Sequence, residues 1–175
     1  MDILIDDLLS LAKSDEGQKN IYFSNVDLSG IVIRTVREFE ASIFELGKSL
    51  ELNVCDNIHT FGDGEKIKQM ISLLMDNAVK YTEYNGIIRV SLSHNRKKAV
   101  LHVENTGPGI PKEEWVKIFD RFYRVDTSRS RNTGGSGLGL SVAKSIVELH
   151  KGKINILGTP GENVIFEVEF SLFSH

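Results

Sequence analysis

The chain has 175 residues, of which 41% are hydrophobic and 26% charged, and this balance is typical of one soluble globular domain. Its formal charge of −3 gives it no overall attraction for nucleic acid or for an anionic membrane surface. Cys55 is the only cysteine, which excludes an internal disulfide and a four-cysteine zinc site. No apolar run approaches the roughly 18 residues needed to span a bilayer.

Residues 1 to about 15 form a predicted amphipathic helix that ends at Ser14–Gly17. Aspartates interrupt its apolar run and no basic residue precedes it, so a signal peptide is not predicted. We interpret residues 1–17 as the end of a longer helix with its linker, and residues 18–175 as the domain itself. An ordinary packing helix at a chain terminus is the alternative. The apolar stripe comprises Leu4, Ile5, Leu8, Leu9, Leu11 and Ala12.

The next predicted elements alternate between strands and helices. A short extended stretch around Val26–Leu28 leads to Ser29, the predicted cap of a helix that runs to about Ser49. A second helix runs from its cap, Asp63, to Tyr81. Strands are predicted at Leu50–Cys55, Gly86–Ser93 and Lys98–Glu104.

Residues 105–138 are rich in Gly, Ser, Thr, Arg and Asn, with one short aromatic helix at Ile118–Arg124. A helix follows at Gly139–His150, and strands follow at Lys153–Leu157 and Asn163–Ser171. The sum is an α/β domain with a mostly antiparallel sheet, helices on one face and one long irregular segment. Such long loops in compact domains usually serve a function.

Asn77 and Lys80 share a stripe at the edge of the apolar face of the Asp63–Tyr81 helix. An amide oxygen is a hard ligand suited to Mg²⁺, and an ammonium can hold a phosphate. Considered without the rest of the sequence, Asn77 and Lys80 are better explained as ordinary surface residues of an amphipathic helix than as a ligand site. Asp76 points to the opposite side and is interpreted as a solvated carboxylate.

Two glycine-rich turns could admit a ligand close to the backbone. In Asn105–Pro111 a strand ends in Asn-Thr-Gly-Pro-Gly-Ile-Pro, where the side-chain carbonyl of Asn105 could accept a hydrogen bond from an exocyclic amine. A plain proline–glycine turn is the alternative. Asn132–Leu140 runs directly into a helix, whose amino end attracts anions. No lysine follows its glycines as in a Walker loop, so we expect another form of phosphate site rather than a flexible linker.

Between these turns, Ile118–Arg124 and the basic segment Asp126–Arg131 have the composition of an anchored loop that reaches phosphate. Phe119 and Phe122 are three residues apart and are predicted to dock on one surface. Arginines beside aromatics also occur in binders of single-stranded nucleic acid, but the patch is short and the chain is acidic.

Taken in order, four segments closely resemble the asparagine, first glycine, phenylalanine and second glycine boxes of sensor histidine kinases, within the ATPase group that includes DNA gyrase. These segments are Asn77–Thr82, Asn105–Pro111, Phe119–Arg124 and Gly135–Leu140. The resemblance covers nearly the whole chain. It implies a Bergerat-type two-layer α/β sandwich with a long ATP lid, and the activity of a protein-histidine kinase.

The resemblance also implies a role for each matching residue. Asn77 would bind Mg²⁺, Asn105 would face the adenine amine, and Lys80 and Arg124 would hold the phosphates. The implied nucleotide-binding set is Asn77, Lys80, Tyr81, Asn105, Gly107, Gly109, Ile110, Arg124, Gly135, Ser136, Gly137, Leu138 and Gly139.

The chain departs from the family pattern at several positions. Asn105 stands where an aspartate is usual, Leu73 stands where a second asparagine is frequent, and Asn163 and Val164 replace small residues after Gly161. These departures suggest an alternative, a nucleotide-binding regulatory module with degraded catalysis. Steady hydrolysis of the gyrase type is not expected, because Leu73 occupies the position of its catalytic glutamate.

The resemblance implies a histidine acceptor on a dimerisation hairpin, relay to a response regulator, and a location in the cytoplasmic part of a membrane-anchored receptor. None of the five histidines has the expected setting of that acceptor, so the chain alone is predicted to bind ATP without phosphorylating itself. No nucleic-acid partner and no direct membrane contact are expected. His150 is interpreted as a structural residue at the end of a helix.

Overall fold

The computed structural model describes residues 21–125 and 136–173. The predicted helix and linker of residues 1–17, the basic lid segment Asp126–Arg131 and Gly135 lie outside the described residues. The predictions for these segments, including the domain boundary after residue 17, therefore stay predictions.

The described residues form four α-helices and seven β-strands. In chain order they are β1 (Ser24–Asp27), α1 (Leu28–Arg37), α2 (Glu40–Glu45), β2 (Ser49–Val54), β3 (His59–Gly62), α3 (Gly64–Tyr81), β4 (Ile87–His94), β5 (Lys98–Thr106), α4 (Gly139–Leu149), β6 (Lys153–Leu157) and β7 (Asn163–Ser171). Two single-turn 3₁₀ helices, Lys112–Glu114 and Lys117–Phe119, lie between β5 and α4. None of the described helices is long and apolar enough to cross a membrane.

Five strands form one mixed sheet in the order β2-β4-β5-β7-β6. The β2–β4 pair is parallel and the other pairs are antiparallel. β1 and β3 form a separate antiparallel pair. The prediction of a mixed, mostly antiparallel sheet is therefore confirmed.

The two faces of the large sheet differ in character. One face is apolar and packs under α1, α3 and α4, because buried and more exposed side chains alternate along β4, β5 and β7. The other face carries ion pairs, including Arg89 with Glu51 at 2.7 Å and Arg89 with Glu104 at 3.2 Å. The predicted two-layer sandwich with helices on one face is confirmed.

The helix predicted from Ser29 to Ser49 is wrong in its cap and in its continuity. Asp27 is the cap, since its Oδ1 accepts a hydrogen bond from the Gly30 N–H at 2.9 Å. The Ser29 hydroxyl is buried, donates to the Cys55 carbonyl at 2.7 Å and accepts from the Ile58 N–H at 3.0 Å. The predicted helix is also divided, because α1 ends at Arg37 and α2 begins at Glu40.

Two short elements also differ from the prediction. Strand β3 was not predicted, although it pairs along its length with β1. The aromatic helix predicted at Ile118–Arg124 is limited to the 3₁₀ turn Lys117–Phe119. Strands β6 and β7 have the predicted bounds.

Candidate nucleotide-binding site

Helix α3 presents its polar residues at the border of the core. Leu74 and Ala78 are fully buried, whereas Asn77 and Lys80 are half-buried beside them. This placement confirms the edge position predicted for the pair. Asp76 is exposed on the other side, although partial burial raises the pKa of its carboxyl.

The amino end of α3 is tied to the carboxyl end of α4. Asp63 caps α3 and accepts hydrogen bonds from the N–H groups of Lys66 and Tyr22, each at 3.0 Å. The Asp63 N–H donates to His150 Nε2 at 3.0 Å. Burial by itself raises the pKa of Asp63, but these N–H donors and His150 outweigh it, so the pKa lies below its usual value. The two helices that carry the predicted phosphate residues are thus held in a fixed relation.

Lys80 lies in a positive and partly dehydrated environment. Burial lowers the pKa of its ammonium, and the positive charge of Arg124 lowers it further. The ammonium nitrogen lies 5.2 Å from the ring centroid of Tyr81. A bound anion would favour the charged form of Lys80. The structure thus brings together Lys80 and Arg124, which the sequence placed in separate motifs.

Asn105 lies next to the last residue of strand β5 and inside the core, where only 1% of it is exposed. Its Nδ2 donates a long hydrogen bond to the Thr106 carbonyl at 3.3 Å. Its Oδ1 is the one buried side-chain oxygen or nitrogen of the described residues that has no hydrogen-bond partner. A buried acceptor without a donor is costly, so a ligand that brings an N–H group to this point would be favoured.

The first glycine turn packs against the protein's own backbone. Gly107 has φ 147°, and a Cβ there would lie 2.7 Å from the Tyr81 carbonyl oxygen. Gly109 has φ 64°, and its Cβ would lie 2.9 Å from the Thr159 carbonyl oxygen. These contacts explain both glycines without a ligand. They also place the turn directly against the end of α3.

The aromatic segment before Arg124 is only partly anchored as predicted. Phe119 packs edge-on against Phe166 with ring centroids 6.5 Å apart. Phe122 does not dock beside it, because 57% of Phe122 is exposed and its backbone has φ 66°. The Tyr123 hydroxyl, however, donates a hydrogen bond to the Glu114 carboxylate. Glu114 was not among the predicted site residues, and the aromatic motif that contains Tyr123 was the only signal for this contact.

The backbones of Phe122 and Gly137 are in direct contact, and we call this contact the neck. The Phe122 N–H donates to the Gly137 carbonyl at 3.1 Å. Gly137 has φ 75°, and a Cβ there would lie 3.0 Å from Phe122 Cα and 2.9 Å from its carbonyl carbon. Glycine is therefore required at this position for both conformation and space.

Immediately after the neck, α4 begins without a side-chain cap. Its N-cap residue is Leu138, which has no side-chain acceptor for the amides of the first turn. The Ser136 hydroxyl accepts instead from the Leu138 N–H at 3.4 Å. A Cβ at Gly139 would lie 3.6 Å from Leu73 Cδ2, so α4 starts close to α3. Free amides and the helix dipole make this end suited to a phosphate.

A metal at this site would depend on few protein ligands. In the two described ranges, no group of three or more His, Cys, Asp or Glu could hold a metal ion. Asn77 offers an amide oxygen at the border of the core, and Leu73, one turn earlier, offers none. This donor set fits Mg²⁺, which usually keeps several waters and shares phosphate oxygens.

Residues 62–173 match the family described as the histidine kinase-, DNA gyrase B- and HSP90-like ATPase. The chain belongs to this family. It is 34% identical to the signal transduction histidine-protein kinase BaeS of Escherichia coli (strain K12), over 97% of this chain and 36% of BaeS. It is 36% identical to the sensor histidine kinase YkoH of Bacillus subtilis (strain 168), over 96% of this chain and 36% of YkoH. The chain thus spans little more than a third of these relatives.

Solved structures agree with this assignment of the family and the fold. The catalytic domain of the histidine kinase ThkA matches with a TM-score of 0.76 and 29% identity, over 86% of this chain and 95% of that one. ThkA in complex with the response regulator protein TrrA matches with a TM-score of 0.78 and 26% identity, over 97% of this chain and 48% of that one. The fold is that of a histidine kinase catalytic domain.

Proposed function

We propose that this chain is the catalytic domain of a protein-histidine kinase. It binds Mg-ATP between α3, the end of β5 and the start of α4, and it donates the γ-phosphate to a histidine on a dimerisation helix. The observation that carries this proposal is the buried Asn105 Oδ1, which lacks a donor and would accept from the exocyclic amine of adenine. Membership of an ATPase family supports the same ligand.

The remaining residues would hold the triphosphate. Lys80 and Arg124 supply positive charge in a partly dehydrated space, where it acts more strongly than in water. The uncapped start of α4, with Ser136, Gly137 and Leu138, would offer backbone amides to phosphate oxygens. Phosphoryl transfer needs mainly such positioning and neutralisation of charge, and the site supplies both.

Asn77 would hold a magnesium ion through its amide oxygen. When bound, the ion would neutralise negative charge on the phosphate oxygens. Because Leu73 adds no second amide, the metal would be held largely by the nucleotide and water. Tyr81, Gly107, Gly109, Ile110, Gly135 and Gly139 complete the proposed nucleotide-binding set.

The acceptor histidine would come from another segment, since the described histidines are engaged elsewhere. His150 Nδ1 lies 2.7 Å from the Ile146 carbonyl, and His150 Nε2 accepts from the Asp63 N–H at 3.0 Å. His102 pairs with Glu167 at 2.9 Å on the face of the sheet opposite to Asn105. We therefore infer that the chain alone binds ATP but does not phosphorylate itself.

The proposed partners are a dimerisation hairpin of the same kinase and a response regulator. ThkA, a structural relative, was solved with the response regulator protein TrrA, and this supports relay to such a protein. The corresponding location is the cytoplasmic part of a membrane-anchored receptor, in keeping with relatives that are sensor proteins.

A nucleotide-binding regulatory module without catalysis is the second candidate function. It is favoured by Leu73, which lies near Gly139 at the point where a second metal-binding amide would help. This candidate predicts Mg-ATP binding without phosphotransfer when the hairpin is supplied.

The test combines binding with transfer. ATP is titrated into the chain with and without Mg²⁺, and the chain is then mixed with ATP and a hairpin protein. We expect acid-labile phosphate on the hairpin only when both proteins are present, and none when its acceptor histidine is replaced. Labelling of this chain alone would contradict the missing acceptor. An Asn77→Ala variant with unchanged magnesium-dependent ATP affinity would contradict the proposed site.

A further inference from the structure

Glu114 is a carboxylate held from two sides near the base of the site. Its Oε2 accepts the hydroxyl hydrogen of Tyr123, and its Oε1 lies 3.6 Å from the Lys117 ammonium. Only 17% of the Glu114 side chain is exposed. A partly buried carboxylate with two partners is a stronger anchor than a surface charge.

The residue that follows Glu114 is fixed as well. The Trp115 indole N–H donates to the Ile110 carbonyl at 2.9 Å, and both side chains pack against the core. Ile110 belongs to the first glycine turn. Glu114 is therefore held in place relative to the turn that begins at Asn105.

Tyr123 connects the fixed Glu114 carboxylate to Arg124, the next residue in the chain. Phe122, on one side, is exposed and has a positive φ, which is unfavourable for a residue with a side chain. Arg124, on the other side, is close enough to lower the pKa of Lys80. Tyr123, between them, packs against the core and donates a hydrogen bond to the fixed Glu114 carboxylate.

We propose that Glu114 and Tyr123 are a pair of positioning residues that hold Arg124 toward the terminal phosphate of the bound nucleotide. The inference rests on the proposed function, because it assumes that a triphosphate occupies the site. Neither residue contacts the nucleotide itself in this scheme. The pair instead sets how much of the affinity comes from the third phosphate.

This role predicts a specific pattern of binding. If Arg124 faces the γ-phosphate, loosening Arg124 should lower the affinity for ATP and leave the affinity for ADP almost unchanged. The loss of one hydrogen bond to a charged group lowers affinity roughly ten- to 150-fold when the contact is direct, and an indirect effect should be smaller, about three- to tenfold. If the two residues had only a structural role, their loss would lower the affinities for ATP and ADP equally.

The experiment measures the affinities of Mg-ATP and Mg-ADP by isothermal titration calorimetry, with thermal unfolding of each variant as a check of folding. Tyr123→Phe should reduce the ATP-to-ADP affinity ratio about three- to tenfold. Glu114→Ala should do the same, and the double variant should add little, because both changes remove one contact. Glu114→Gln should retain most of the ratio, since its amide oxygen can accept from the tyrosine.

Tyr84→Phe provides the matched control, because Tyr84 is 76% exposed and its change should leave the ratio unaltered. A ratio within twofold of the unsubstituted chain in both Tyr123→Phe and Glu114→Ala would overturn the inference. Equal losses for ATP and ADP would overturn it too. Failure of the unsubstituted chain to bind ATP would instead overturn the proposed function on which the inference depends.

Discussion

Replacing Asn105 by leucine should stabilise the free protein while weakening the binding of ATP. In the free protein, Asn105 Oδ1 is buried without a donor, which costs roughly 1–3 kcal/mol. Leucine has the same number of side-chain heavy atoms in a similar branched shape and no polar atom, so this cost disappears. The substitution also loses the 3.3 Å hydrogen bond to Thr106, worth about 0.5–1 kcal/mol. The expected net gain is about 0.5–2 kcal/mol in the free energy of unfolding.

A gain of this size corresponds to a rise of about 2–6 °C in Tm for a domain of this length. Binding should change in the opposite direction. The adenine amine satisfies Oδ1 in the proposed complex, so its loss should cost about 2–3 kcal/mol, or about 30- to 150-fold in affinity for ATP. Opposite signs for stability and binding are the mark of a polar group that is retained for a ligand.

The assay combines thermal unfolding without nucleotide and calorimetric titration with ATP and inosine triphosphate. Inosine carries an oxygen where adenosine carries the amine, so the unsubstituted chain should prefer ATP and the leucine variant should lose that preference. Asn105→Asp is the control, because it keeps an acceptor and should keep the preference. A leucine variant that is less stable than the unsubstituted chain and still prefers ATP would refute the assignment of Asn105.

Three further predictions concern the ends of the helices and the metal. Asp63→Asn should lower the free energy of unfolding by about 1 kcal/mol at neutral pH, because the folded state favours the charged cap. Since the pKa of Asp63 is depressed below 3.8, this difference should vanish as the pH falls through that pKa, and a pH-independent difference in urea unfolding would contradict it. Gly137→Ala should lower the free energy of unfolding and the affinity for ATP more than Gly161→Ala does. Both glycines have positive φ, but only Gly137 has backbone atoms within 3.0 Å of the added Cβ. Equal losses in thermal unfolding would argue against the neck. Leu73→Asn should increase the magnesium dependence of ATP binding severalfold by placing a second amide one turn before Asn77, and titrations with unchanged magnesium dependence would exclude metal at this edge.

Helix α3 and strands β6 and β7 could be predicted because their signals are local. Asp63 caps α3 within its own first turn, and the apolar period of that helix continues without interruption to Tyr81. Burial alternates along β7 with the period of a strand. For such segments, neighbouring residues are enough to decide the structure.

The beginning of α1 was missed because distant residues decide it. Asp27 and Ser29 are both good caps by residue type, and nothing nearby separates them. The Ser29 hydroxyl is occupied by Cys55 and Ile58, so the cap falls to Asp27. Strand β3 was missed for a similar reason, since its four residues are ordered by pairing with β1.

The site shows the same division between local and distant causes. The chemistry of Asn105 was predicted from its position at the end of a strand, but its orphaned oxygen depends on how β5 is buried in the sheet. Glu114 was missed because its role comes from a contact with Tyr123 across two irregular turns. Residue type suggested a ligand, and only the fold could reveal which groups are held ready for it.

The neck has a consequence for how this domain could vary among kinases. Because the Phe122 N–H donates to the Gly137 carbonyl, the two residues that flank the intervening segment are held close together in the domain. Adding or removing residues there would alter no distance that the sheet and helices must span, and the entropy of closing a longer loop rises slowly with length. Changes of length between Val125 and Ser136, beyond the contacts of Tyr123 and Arg124, should therefore have little effect on stability, so long as a glycine remains at residue 137.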